Sequence, residues 1–146
     1  MSNKYDCLKL ENQLCFPLYA CAKEVVRKYT PILDELDLTY TQYIAMMVLW
    51  EEKDITSKRL GEKLYLDSGT LTPLLNKLEK KGYVEKHRDE RDQRDLMVHL
   101  TTKGLHLRDK ALAVPEKMQC CIKLDPEEGA ELYRMLHKMI HLMREE

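Results

Sequence analysis

Between Leu66 and Gly82 the chain reads Leu-Asp-Ser-Gly-Thr-Leu-Thr-Pro-Leu-Leu-Asn-Lys-Leu-Glu-Lys-Lys-Gly, with a cap, an apolar stripe and a stop where one helix needs them. Leu71, Leu74, Leu75 and Leu78 recur at i, i+3, i+4 and i+7, the spacing of one helical face. Asp67 can accept the free amide protons of a first turn, and Gly82 suits the left-handed residue just past a last one. Lys77, Lys80 and Lys81 favour that end through the helix dipole. The opposite face keeps Ser68, Gly69, Thr70, Thr72 and Asn76, whose short hydrogen-bonding groups can approach base edges and phosphates without steric cost. A helix that is merely solvated more often carries Glu and Lys there. Pro73 conflicts with a helix begun at Ser68, because its missing N–H should have bonded the Gly69 carbonyl. Thr72 is therefore the alternative cap.

Such a helix needs partners, and 146 residues, 44% of them hydrophobic and 34% charged, suffice for one domain, 1–146, with a sizeable core. No apolar run approaches a membrane span and the N-terminus lacks a signal-peptide stretch, so the expectation is a cytoplasmic protein without a membrane partner. Five cysteines, Cys7, Cys15, Cys21, Cys120 and Cys121, follow no zinc spacing; they are apolar fillers or redox-active thiols, not a disulfide framework. The net charge of -1 is unevenly placed, since residues 53–124 hold 16 Lys and Arg against 11 Asp and Glu while both flanks are acidic. A modest basic excess calls for specific contacts and a dimer's doubled surface, and for salt-dependent binding.

Taken in order, residues from Asn12 to about Leu36 place Leu14, Leu18, Cys21, Val25, Tyr29, Ile32 and Leu36 three or four apart, predicting a long amphipathic helix with Asn12 as its cap. Cys15 then lies in the first turn or two, where the helix dipole stabilises a thiolate. A pKa lowered from about 8.5 towards 6 would make most of the thiol reactive at neutral pH. The bland alternative is a small core hydrophobe. A second helix opens at Thr39, with Gln42 completing a capping box, and buries Ile44, Met47 and Val48. Thr56 caps a short helix with Leu60 and Leu64 inward, and Tyr65-Leu66 turns into the helix described first, giving a helix-turn-helix. Residues 83–88 and 96–100 read as strands around Asp89-Glu90-Arg91-Asp92-Gln93-Arg94-Asp95, a wing whose Arg91 and Arg94 suit a minor groove. Thr101 or Thr102 caps a helix broken near Pro115 that carries Cys120 and Cys121. The last helix runs from Pro126 with Leu132, Met135, Leu136, Met139, Ile140 and Met143 on one stripe, which suits a dimer interface. The predicted class is thus mainly α with a small β-wing, a winged helix-turn-helix of about 39–100 between dimerisation helices of about 8–36 and 102–146.

His137 and His141 stand at ligand spacing but lack a third partner, and the vicinal Cys120-Cys121 pair has none either, so no metal is assigned. With no Gly-rich phosphate loop, no Ser/His/Asp order and no paired carboxylates in an apolar setting, no cofactor and no enzyme activity are expected.

Several stretches together resemble the MarR-type winged-helix repressors, and within them the OhrR-type organic hydroperoxide sensors. They are Leu10-Glu11-Asn12-Gln13-Leu14-Cys15-Phe16, Tyr29 and Tyr40, Leu66 through Leu75, and Asp92 with Arg94. The likeness covers nearly the whole chain, although Pro17 and Asp95 depart from the pattern. It implies a homodimer that binds an inverted-repeat operator in double-stranded DNA when reduced and leaves it when an organic hydroperoxide oxidises Cys15. It further implies that Tyr29 and Tyr40 hydrogen-bond the Cys15 sulfur, one or both reaching it across the dimer interface, that Asp92 positions Arg94, and that Cys120, with Cys121 as the alternative, forms the resolving disulfide. Ser68, Thr70, Thr72, Asn76, Arg91 and Arg94 are the candidate DNA contacts. The competing classes are a MarR-type regulator induced by a non-oxidative ligand or metal, and a thiol peroxidase, which would need no wing.

Overall fold

The computed structural model describes residues 1–88, 90, 91, 94 and 96–145. By internal packing the chain forms two units, Met1–Val114 and Pro115–Glu146. In the first, single 3-10 turns at Asp6–Leu8 and Leu10–Asn12 precede α1 (Cys15–Asp34), α2 (Tyr40–Glu52), β1 (Asp54–Thr56), α3 (Ser57–Leu64), α4 (Ser68–Lys80), β2 (Val84–Arg88), β3 (Leu96–Leu100) and α5 (Thr102–Ala111). Beyond it come α6 (Ala113–Cys121), which crosses the boundary, and α7 (Pro126–Arg144) in the second unit. No helix is long and apolar enough to cross a membrane among the described residues.

In α4 the local signals agree. Asp67 Oδ1 accepts the Thr70 N–H at 2.8 Å, Leu71, Leu74, Leu75 and Leu78 are all buried, and Gly82 takes φ 83°. Asp67, not Thr72, is the cap, and Pro73 sits inside the helix without ending it. Magnitudes explain this: burying each of the four leucines contributes roughly 1.5–3 kcal/mol, which together outweigh the cost of about 3 kcal/mol for a proline inside a helix.

The sheet is antiparallel with order β1-β3-β2, Ile55 and Lys86 standing on either side of Val98. Ile55, Val84 and Val98 face the core. Strand β1 is absent from the sequence reading, since three residues are too few to show alternation, yet Thr56 still caps α3 by accepting the Arg59 N–H at 3.2 Å. Tyr65 ends α3 in the left-handed region and starts the turn into α4. Gly104 of α5 lies so close to β2 that a Cβ would collide with the Tyr83 carbonyl oxygen, and its own carbonyl accepts the Trp50 indole N–H at 2.9 Å.

Three expectations are corrected. Helix α1 starts at Cys15, and Asn12 is not its cap: the Asn12 amide donates to the Asp6 carbonyl at 2.7 Å, inside the turns that precede the helix. The buried face of α2 is Tyr43, Ala45, Met46 and Leu49 with Gln42, whereas Ile44 and Val48 are half-buried and Met47 is exposed. Because α2 packs against α1, α3, α4, α5 and the sheet, its buried arc is too wide for a stripe to reveal its centre. The break after α5 falls at Leu112, and Pro115 lies inside the first turn of α6, where a missing N–H costs nothing. Thr101 is the cap of α5, accepting the Gly104 N–H at 3.0 Å.

Candidate nucleic-acid interface and sensor cysteine

The exposed face of α4 presents Ser68, Thr70, Thr72 and Asn76, as its apolar stripe dictates. Asn76 is also engaged within the chain, its side-chain oxygen accepting from Lys86 Nζ, while Glu79 accepts the Lys86 backbone N–H at 3.0 Å. These bonds hold β2 against α4, so wing and helix share one base. Arg91 and Arg94 are exposed between β2 and β3. Asp92 and its expected pairing with Arg94 lie outside the described residues.

Cys15 is the first residue of α1, exposed, with a free thiol. Leu14 before it has helical backbone angles and no capping side chain, so the first-turn amides of α1 keep their dipole uncompensated by a cap. Phe16 and Leu18, near Cys15 in the chain, are exposed. Of the two methionines of α2, Met46 is fully buried in the core and Met47 is exposed.

Tyr29 and Tyr40 come together across α1 and α2, ring centroids 4.7 Å apart, and the contact continues into a column the sequence reading missed: Tyr29 to Tyr43 at 5.8 Å and Tyr43 to Trp50 at 6.4 Å. The spacing of Tyr40, Tyr43 and Trp50 at i, i+3 and i+10 was the available signal. Burial, then the neighbouring Tyr40 and Tyr43, push the Tyr29 phenol up from its usual pKa, and burial followed by Tyr40 does the same to Tyr43. Both phenols therefore stay protonated near neutrality and keep a proton to donate.

Cys120 and Cys121 occupy the last turn of α6, exposed and free, in the second unit. On α7, His137 packs on Tyr133 at 4.2 Å and His141 lies 2.9 Å from the Glu145 carboxylate. On the outer face of the sheet His99 contacts Asp54 through Nδ1 and stacks on His87 at 4.1 Å between ring centroids. Among the described residues no three His, Cys, Asp or Glu side chains converge on one point as a metal would require.

The SarA/Rot family of transcriptional regulators matches residues 27–111. The organic hydroperoxide resistance transcriptional regulator of Bacillus subtilis is 42% identical over 145 residues, which is 99% of this chain and 99% of that protein. The chain belongs to the MarR-type regulators, in their organic hydroperoxide branch. These relatives are regulators of transcription, not enzymes. The regulator's fold is similar to reduced AbfR bound to DNA, with TM-score 0.81 and 31% identity over 98% of both chains. It is also similar to disulfide-formed AbfR, with TM-score 0.65 and 35% identity over 94% of this chain and 96% of that one. AbfR is a Staphylococcus epidermidis protein. The mainly helical class with a small antiparallel wing, read from the sequence, is the class these neighbours share.

Proposed function

We propose that the regulator is a redox-sensing repressor that binds an inverted-repeat operator as a reduced homodimer and leaves it when an organic hydroperoxide oxidises Cys15. The observation that carries the reading is the free, exposed Cys15 thiol at the uncapped start of α1, in a chain alike from end to end to a hydroperoxide-resistance regulator. Tyr29, whose phenol keeps its proton through burial, is a donor suited to the sulfur, and the Tyr40 ring packs beside it. The thiolate sulfur attacks the terminal peroxide oxygen, the O–O bond breaks, and the alkoxide takes a proton and leaves as the alcohol, which makes Cys15 a sulfenic acid. The Cys120 thiolate then attacks that sulfur, forming the disulfide while hydroxide leaves and is protonated to water.

Ser68, Thr70, Thr72 and Asn76 on α4 would enter a major groove, with Arg91 and Arg94 in the flanking minor groove. Two features support a dimer: exposed Leu8, Leu10 and Leu14 at one end of the chain, and exposed Leu132, Met135 and Leu142 along α7. The AbfR structures support DNA as the partner, since that protein is found on DNA both reduced and overoxidized, and its disulfide form supports a redox-active thiol.

The test is operator affinity and non-reducing electrophoresis after one equivalent of cumene hydroperoxide. Wild type should release DNA and run as a covalent dimer, Cys15→Ser should keep its DNA, and Cys120→Ser should stop at sulfenic acid or a mixed disulfide. Crosslinking by Cys120→Ser but not by Cys121→Ser would transfer the resolving role to Cys121. A Cys15→Ser variant that still releases DNA with an inducer would overturn the oxidative reading.

A further inference from the structure

Gln42 is buried, 3% exposed, two residues into α2 from Tyr40. Its side chain has two tasks. The carbonyl oxygen Oε1 accepts the Thr39 backbone N–H at 3.1 Å, closing the capping box, and the same oxygen accepts from Lys81 Nζ at 3.0 Å. Lys81 is the C-cap residue of α4. Its ammonium also donates to the Asp37 carbonyl and lies 3.7 Å from the Asp37 carboxylate, and its own carbonyl accepts from Lys103 Nζ at 2.8 Å. One lysine thus ties the α1–α2 corner, the end of α4 and the start of α5.

The placement matters because Tyr40 is the first residue of α2 and Asp37, in the left-handed region at φ 54°, belongs to the turn that follows α1. Tyr29 and Tyr40 reach α5 through their ring contacts with Tyr43 and Trp50, and Tyr40 reaches the end of α4 through this corner. A helix of 13 residues is a rigid rod of about 20 Å, so a displacement imposed at Lys81 tilts the far end, where Ser68 and Thr70 lie. Elsewhere α4 meets α2 and α3 through leucine packing, which tolerates small sliding better than a directional, half-buried bond does.

We infer that Gln42 and Lys81 are positioning residues that couple the sensor corner to the DNA-reading helix, so that movement of Tyr40 on oxidation of Cys15 is delivered to α4 through the Gln42 to Lys81 bond. The inference rests on the redox reading above. Coupling is measured by the ratio of operator affinities in the reduced and oxidised states, which a uniform structural defect leaves unchanged.

The experiment measures that ratio by fluorescence anisotropy on full-length wild type, Lys81→Met, Gln42→Leu and Gln42→Glu, with cumene hydroperoxide as oxidant and Cys15 oxidation checked by mass spectrometry. Lys81→Met keeps the aliphatic stem and removes the donor. It should retain reduced-state binding and shrink the ratio on the order of tenfold, the worth of one hydrogen bond to a charged group. Gln42→Leu should do the same; if it fails to fold, Lys81→Met carries the test alone. Gln42→Glu keeps the capping box and pairs with the ammonium, so the ratio should stay at the wild-type value. An unchanged ratio in Lys81→Met with Cys15 fully oxidised overturns the coupling while the redox reading stands. A wild type that holds its DNA when oxidised overturns both.

Discussion

Helices α4 and α1 are written in the same apolar code, yet only one is complete within the chain. In α4 every stripe leucine is buried, and its cap and stop lie where the sequence puts them. In α1 the stripe splits: Leu36, just past its end, is buried and Tyr29 and Ile32 pack against the core, while Leu14, Leu18 and Cys21 towards the N-terminus are exposed. The difference teaches where such a stripe finds its partner. A helix whose apolar face is satisfied by its own chain stabilises the fold, and one that keeps half its face free has surface to offer a second copy, consistent with the proposed dimer.

The largest effect that would sharpen this contrast is a pair of leucine truncations. Leu78 is fully buried, so Leu78→Ala should cost about 2–5 kcal/mol of stability in urea unfolding, at any protein concentration. Leu18, exposed within one chain, should by itself cost well under about 1 kcal/mol in a monomer, and any larger loss should depend on protein concentration. Equal, concentration-independent losses at both positions would remove the distinction between the two helices.

The same contrast accounts for what was legible in the sequence. Elements closed by local chemistry were read correctly: the Asp67 cap, the Thr39 and Gln42 box, the Thr56 cap and the left-handed Gly82, while the cap of α5 was narrowed to Thr101 or Thr102. Errors fell where the deciding contact is remote. Asn12 has the composition of a cap, but its amide is drawn to the Asp6 carbonyl, and the centre of the α2 face is set by the four helices and two strands packed on it rather than by periodicity. Of the candidate site, the helix face could be read, and the resemblance named Tyr29 and Tyr40 as partners of the Cys15 sulfur rather than of each other; Tyr43 and Trp50 left a spacing signal that went unused, whereas Lys81 left none, because no spacing announces a contact made 39 residues away as between Gln42 and Lys81.

A smaller effect compares the two helix starts directly. Asp67→Ala removes the acceptor of the Thr70 N–H and should cost about 1 kcal/mol, with loss of helix signal confined to the first turn of α4 in amide exchange. Asn12→Ala breaks only a bond between exposed groups ahead of α1 and should fall within about 0.5 kcal/mol of wild type. Should Asn12→Ala prove the costlier of the two, the start of α1 would be held by its cap residue after all, and the description of its first turn would have to change.

The smallest effect lies in the alkaline limb, where the inner half of α1 meets the aromatic column. Burial, reinforced by Tyr40 and Tyr43, raises the Tyr29 pKa in the folded chain above its unfolded value near 10. The folded state therefore holds the phenol proton more tightly, and the sign follows: the contribution is fully present below about pH 10 and is lost as pH rises through the higher folded pKa. Unfolding free energies measured by urea at pH 8, 9, 10 and 10.5 should accordingly be flat up to about pH 9 and then fall. Tyr29→Phe keeps the ring and removes the titrating group, so its curve should fall less steeply above pH 10 even if its stability at pH 8 is lower. Parallel curves for the two proteins would mean that Tyr29 is no more protected from water than the exposed half of α1, and the division of that helix into a buried and a free end would not hold.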